Sequence, residues 1–419
     1  MSQWFPPEPA GIVVELCETL RSAGLDVAVL TGVPNYPTGK VHPGYKAWMP
    51  RNDVHQWIPV VRSPLWPSHD RSPVGRALNY VSFALASAVR GRALLSSADA
   101  SLVYSSPATA ATAAMLARRL HGTPYVLMIQ DLWPETVLEA GLLPDGAART
   151  VATRALTWFD AVSTSSAAHI IVIAPGMRDR LITRGVPASK ITVTPNWVDE
   201  AVVRPVTPTG RLRRQLGIPA DHTVLIYGGN HGVSQALDAW IDAISLVQDL
   251  ERLHFIFIGQ GTEMERLESR ARAEKHRRTH FLPAMDKHDF VGAAADADAL
   301  IVSLRDTPLF GITIPSKVQS SLALGKAVVA SVTGDAARIL RDSGAALVAA
   351  PEDTLEIVES IRDAYREGAS GLAERGRLGL AYYQRTMSQA AGRATLSRIM
   401  TDVANRSSGP HTDASVDSD

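Results

Sequence analysis

DALIVSLRDTPLFGITIPSKVQSSLALGKAVVAS, residues 298–331, runs from an apolar stretch through a polar loop into a small-residue helical pattern and out into a second apolar run. A strand buried on both faces needs no polar alternation, so two short unbroken apolar runs joined by a helix read as neighbouring parallel strands with a crossover. Pro315 and Ser316 open the helix and Lys317 stands in its first turn. A helix N-terminus offers unpaired N–H groups and partial positive charge, which makes it an anion site, and a cation added there gains if something negative binds. The alternative is a surface lysine behind an ordinary Ser cap.

The same rhythm extends in both directions. Upstream, LDVAVLTG, SLVYSS, PYVLMIQD, AHIIVIAPG and KITVTPN alternate with helical segments such as ATAAMLARRLHG. After Asn196 a Pro-rich stretch lacks strand character, and the rhythm restarts with TVLIYGGN, LHFIFIG, THFLPAM, DALIVSL, KAVVAS and AALVAA. This predicts an α/β protein of two Rossmann-like, doubly wound domains with a cleft between them, residues 1–200 and 201–385, followed by a helix at 386–405 and a disordered polar tail at 406–419.

Composition narrows the function. The 42 basic and 42 acidic residues cancel, which argues against a dedicated nucleic-acid binder. One cysteine, Cys17, excludes an internal disulfide and any Cys-based zinc site and fits a reducing cytoplasm. No apolar stretch is long enough to span a bilayer.

In an open α/β sheet ligands sit at the carboxyl ends of the strands. GGNHG, with Gly229, Asn230 and Gly232, and GQG, with Gly259 and Gly261, both end strands of the second half, as does the loop carrying Arg305. Each glycine turn alone is weak, because tight βα turns use glycine anyway. Two such turns and the Ser316–Lys317 helix start on one sheet edge point to a nucleotide-diphosphate pocket. Arg305 is a second candidate cation, or a salt-bridge partner of Asp306. In the first half, Asp131 ends a strand and could accept the proton of an incoming hydroxyl, with Glu135 nearby; both could instead cap the next helix. FPPEPAGI places Glu8 and Gly11 at a rigid turn entering a helix, where Gly11 permits close approach and Glu8 contacts an acceptor or favours the helix start.

The motifs QWFPPEPAG, IQDLWPETV, VTPNWVD and FGITIPSKVQSSLALGKAVVAS, in this order, resemble the GT-B glycosyltransferases of family 4, in the branch of the colanic-acid and WbuB type. The resemblance implies an N-terminal acceptor domain, a C-terminal donor domain and a last helix crossing back. It implies transfer of a sugar from a nucleotide-diphosphate sugar with retention, without a bound metal or other cofactor, to a glycan or polyprenyl-diphosphate-linked acceptor in cell-surface polysaccharide biosynthesis. Lys317, Arg305 and Asp131 then take catalytic roles. Gly11, Gly229, Asn230, Gly232, Gly259, Gly261, Thr313 and Ser316 bind donor, and Glu8 and Glu135 face acceptor.

The chain departs from the wider family where two glutamates eight positions apart are usual, offering Ile312 and Ser320, or Gly311 and Gln319. That leaves open a non-catalytic sugar-nucleotide-binding protein, or an NDP-sugar 2-epimerase of the same fold. RSPVGRALNYVSFALASAVRGRALL carries Arg71, Arg76, Arg90 and Arg92 around an apolar run, suiting peripheral contact with the inner face of a membrane or equally a core helix with basic ends. Finally, only Met1 and Ser2 precede QWFPPEPAG, where the first domain is expected to open with a strand; the expectation is a native start several residues upstream.

Overall fold

The computed structural model describes residues 1–68, 73–139 and 146–407. The polar tail, apart from the end of its preceding helix, and Arg71 lie outside these. The chain forms two compact units: Met1–Ile173, Met177–Thr194 and the segment from Arg393 in one, Ala174–Gly176 and Pro195–Gly392 in the other.

The first unit holds strands β1 (Val29–Gly32), β2 (Arg51–His55), β3 (Ile58–Ser63), β4 (Ser101–Ser105), β5 (Tyr125–Ile129), β6 (His169–Val172) and β7 (Ile191–Val193). They pair in the orders β1-β3-β2 and β4-β5-β6-β7, all parallel except β2 with β3. The β2–β3 hairpin has no counterpart in the expected rhythm: RNDVH carries too few apolar residues to read as a buried strand, and only β3 packs inward. Helix α1 (Gly11–Ser22) buries Val13, Leu16, Cys17 and Leu20. Helix α2 (Pro73–Arg90) buries Phe83, Asn79 and Ser87.

Residues 1–3 do more than precede the first loop. Ser2 N–H donates to Leu30 O at 3.1 Å and Gly32 N–H to Gln3 O at 3.1 Å, while the Met1 amine donates to Leu102 O at 2.6 Å and Tyr104 N–H to Met1 O at 2.9 Å. Three residues thus bridge β1 to β4 where a full strand is expected. Beside them lies a cavity of about 890 Å³ lined by Met1, Leu16, Val29, Leu30, Leu102 and other largely apolar residues. Burial pulls the Met1 amine down to about 6.

The second unit is a single six-stranded parallel sheet. Its strands are β8 (Thr223–Asn230), β9 (Leu253–Gln260), β10 (Thr279–Pro283), β11 (Ala299–Ser303), β12 (Ala327–Ser331) and β13 (Ala346–Ala349), in the order β10-β9-β8-β11-β12-β13. Phe255, Phe257, Ile301 and Val329 pack with Trp240, Ile241, Ile357 and Ile361 of the covering helices. In this doubly wound order the direction of winding reverses between β8 and β11, so the crevice for a ligand opens at their carboxyl ends.

Candidate active sites

In the second unit the helix Ser316–Ala323 follows β11 and turns Lys317 back toward the end of β8. Lys317 Nζ donates to Tyr227 Oη at 2.5 Å and to Gln235 Oε1. Tyr227 Oη spends its own hydrogen on the carbonyl of Asn230 at 2.6 Å or on Gln235 Oε1 at 3.1 Å, leaving lone pairs for the lysine. Nζ also lies 4.2 Å from the Tyr227 ring centre. Gln235 is fixed from behind, its carbonyl accepting from Ser303 Oγ at 2.6 Å. Among the described residues no carboxylate pairs with Lys317, and burial pulls its pKa down to about 7.

The glycines of this edge serve turn-on-turn packing. A Cβ on Gly259, at φ +154°, would lie 1.8 Å from Gly229 O, and one on Gly261 would meet the backbone of His231 at 2.4 Å. A Cβ on Gly229 would press on Lys317 Cε at 2.9 Å, and one on Gly232 on the Asn230 side chain at 2.6 Å. The GQG turn is therefore glycine so that the β8 turn can lie against it. His231 is buried in the same turn, its Nδ1 3.1 Å from Gly229 O and its Nε2 without a hydrogen-bond partner. Ser316 is exposed at the first position of its helix, whose N-cap Pro315 provides no side-chain bond. Thr313 Oγ1 donates to Leu309 O at 2.7 Å. Arg305 turns aside: its Nε lies 3.9 Å from Glu352, in place of Asp306, and it lines a recess of about 380 Å³ with Gly232, Asp238 and Glu263.

In the first unit Asp131 follows β5 and accepts from Ser106 Oγ at 3.2 Å. Its carboxylate reaches solvent on one side, but the protein around it hinders hydration enough to hold its pKa above the usual value, against the pull of Ser106. Tyr104 and Tyr80 feel its charge, and burial together with Asp131 pushes Tyr104 up to about 12. Glu135 is engaged differently. Arg180 Nε donates to it at 3.0 Å, Arg184 Nη2 donates to the same oxygen, and Arg184 also pairs with Asp160 at 2.7 Å. Burial alone would raise the Glu135 pKa, yet the arginines bring it below the ordinary value.

Glu8 is 3% exposed, and its two oxygens accept from the N–H groups of Asn35 and Tyr36, both at 2.8 Å, and of Phe5 at 3.1 Å. It ties two loops together, and α1 itself carries no side-chain cap. Gly11 begins α1 in the open, with nothing within 4 Å of an added Cβ. Asp296 and Asp298, just before and at the entry to β11, are backbone anchors: Asp296 accepts from Gly210 and Leu212, and Asp298 from Val224 while pairing with Arg213.

Tyr227 and Gln235 escape a sequence reading because they lie 90 and 82 positions from the lysine they hold. The available signal is their flanking of the GGNHG turn.

Residues 10–197 match the family model of the glycosyl transferase 4-like domain, and residues 221–367 that of the glycosyl transferases group 1. The chain is 29% identical over 371 residues to the colanic acid biosynthesis glycosyl transferase WcaI of Escherichia coli K12, covering 86% of this chain and 90% of that one. Among solved structures, the sucrose-phosphate synthase of Thermosynechococcus elongatus superposes with a TM-score of 0.69 at 15% identity, over 94% of this chain and 93% of the other. HepE of Anabaena, solved in complex with UDP, gives 0.66 at 14%, over 96% and 98%. Both halves of the chain thus match family models of glycosyl transferases. The chain belongs to the GT-B glycosyltransferases of family 4 and is a glycosyltransferase.

Proposed function

We propose that this glycosyltransferase takes its sugar from a nucleotide-diphosphate sugar, with retention and without a metal, and that Lys317 receives the diphosphate. The observation that carries this is the seat of Lys317: an ammonium at a helix start, at the reversal point of the sheet, gripped among the described residues by neutral oxygens alone. A cation so placed neutralises charge as it grows on the leaving nucleotide. HepE, similar in fold, was solved with UDP, which makes uridine the first base to try. Asp131, the less encumbered carboxylate of the first unit, accepts or orients the proton of the attacking hydroxyl.

The acceptor is a glycan or a polyprenyl-diphosphate-linked sugar, and α2 supports work at an anionic bilayer. Val74, Leu78, Val81, Leu85 and Val89 are all exposed and recur at helical spacing along α2, with Arg76, Arg90 and Arg92 beside them. Phe83, by contrast, belongs to the core. Among the described residues no helix is long and apolar enough to cross a membrane.

The decisive assay incubates purified protein with UDP-sugars and a lipid-linked acceptor, with and without EDTA, and follows UDP release, glycan product and its anomeric configuration. Product with retained configuration in both arms is expected. Strict dependence on Mn²⁺ or Mg²⁺, or inverted product, overturns the corresponding part. Co-sedimentation with phosphatidylglycerol vesicles, lost in Leu78→Glu/Leu85→Glu, tests the membrane face; equal pelleting of the variant rejects it.

A further inference from the structure

We infer that Tyr227 and Gln235 are positioning residues that keep Lys317 both aimed and unneutralised, so that an incoming diphosphate is the first anion its ammonium meets. The inference rests on the reading of Lys317 as the diphosphate-binding cation.

The geometry has three parts. Tyr227 comes from β8, Gln235 from the turn after it, and Lys317 from the helix after β11, so the two sides of the sheet reversal meet at one nitrogen. An ammonium has three hydrogens; two are taken by Tyr227 Oη and Gln235 Oε1, and the third remains for a ligand. Both acceptors are neutral. A glutamate at 235 would reach the same nitrogen and form an ion pair, which would spend the charge and repel a phosphate. An amide grips without cancelling. The titratable groups facing the nitrogen are Tyr227 from β8 and His231 from its turn, and both are neutral near pH 7 because burial raises the phenol and lowers the imidazole.

The consequence for binding is directional. With a pKa near 7, the free lysine is largely uncharged at pH 8.5, and a bound diphosphate stabilises its charged form. Ligand binding at pH 8.5 therefore takes up a proton from solvent onto Nζ, whereas at pH 6 the proton is already present.

The test titrates the full chain with UDP, and in parallel with inorganic pyrophosphate so that base preference does not mask the phosphate site. Titrations with UDP are run in two buffers of different ionisation enthalpy at pH 8.5. Wild type is expected to bind with net uptake approaching one proton. Gln235→Glu is expected to lose about tenfold or more in affinity and to lose the proton uptake, while its thermal midpoint holds or rises because an ion pair has been added. Tyr227→Phe is expected to raise the donor KM several-fold and leave the acceptor KM unchanged. A merely structural role predicts the same midpoint for Gln235→Glu but unchanged affinity and unchanged proton uptake. If Lys317→Ala loses binding while Gln235→Glu and Tyr227→Phe bind and titrate like wild type, the positioning inference fails and the diphosphate site stands. If Lys317→Ala binds like wild type, or wild type binds neither probe, the underlying reading fails as well.

Discussion

Lys317 and Arg184 are both partly buried cations held by several hydrogen bonds, yet their surroundings are opposite. Arg184 meets Glu135, Asp160 and the carbonyl of Trp133, so its charge is already balanced inside the first unit. Lys317 meets a phenol and an amide, and its charge is balanced by nothing in the second unit. Burying a charge costs energy unless a counter-charge compensates, so the first arrangement is compensated within the fold and the second holds a cost in readiness for a ligand. The contrast separates a structural cation from a functional one more sharply than exposure does.

The largest effect should come from removing the unspent charge. Lys317→Ala is expected to lower kcat by two to three orders of magnitude with the fold intact, since one such stabilising group is typically worth ~3–4 kcal/mol in the transition state. Near-wild-type kcat at saturating donor would erase the distinction from Arg184. Removing the spent charge should do the opposite: Arg184→Met strands Asp160 and leaves Glu135 to Arg180 alone, costs up to ~3 kcal/mol of stability, and leaves kcat of the folded fraction little changed. Urea unfolding beside a kinetic assay reads both, and a variant as stable as wild type but inactive would move Arg184 into the catalytic machinery.

pH sharpens the same comparison. Because the folded lysine titrates at about 7, kcat/KM for donor is expected to fall as pH rises through that value. The stability sign runs the other way. The folded pKa lies below the unfolded one, so the cost of the buried charge is fully present below pH 7 and is relieved between about 7 and 10.5 in the ligand-free protein. A flat donor profile from pH 6 to 9 would show that the lysine stays charged throughout.

The two carboxylates repeat the contrast on a smaller scale. Asp131→Asn should leave donor binding intact and reduce transfer, whereas Glu135→Gln should chiefly loosen the Arg180–Arg184 cluster and lower the melting point. Exchange of these outcomes would interchange their roles. The smallest effect concerns the first sheet: four or five alternating apolar residues added before Met1 should enter the cavity beside β1 and β4, replace a buried amine by an amide and raise the melting temperature by a few degrees. An unchanged melting point would show that the added segment stays outside.

Much of the architecture is local in origin. LHFIFIG and DALIVSL are buried on both faces, so their continuous apolar character announces parallel strands, and Pro315 with Ser316 announces the helix start that carries Lys317. These features follow from composition and spacing within a dozen residues. The β2–β3 hairpin does not, because its outer strand is solvated and carries no apolar run.

The chemistry of the sites depends on which groups meet, and that was settled by packing. Glu8 looks like a free carboxylate until Asn35 and Tyr36 converge on it from 27 and 28 positions away. Gly259 and Gly261 read from the chain only as turn glycines, and it is the β8 turn laid against them that leaves no room for a Cβ. Chain order placed a lysine at a helix start, but only the sheet, by setting β8 beside β11, surrounded it with a phenol and an amide in place of a carboxylate. An ion pair's strength depends on distance and local polarity, neither of which is written along the chain, and so the difference between Lys317 and Arg184 exists only in the folded protein.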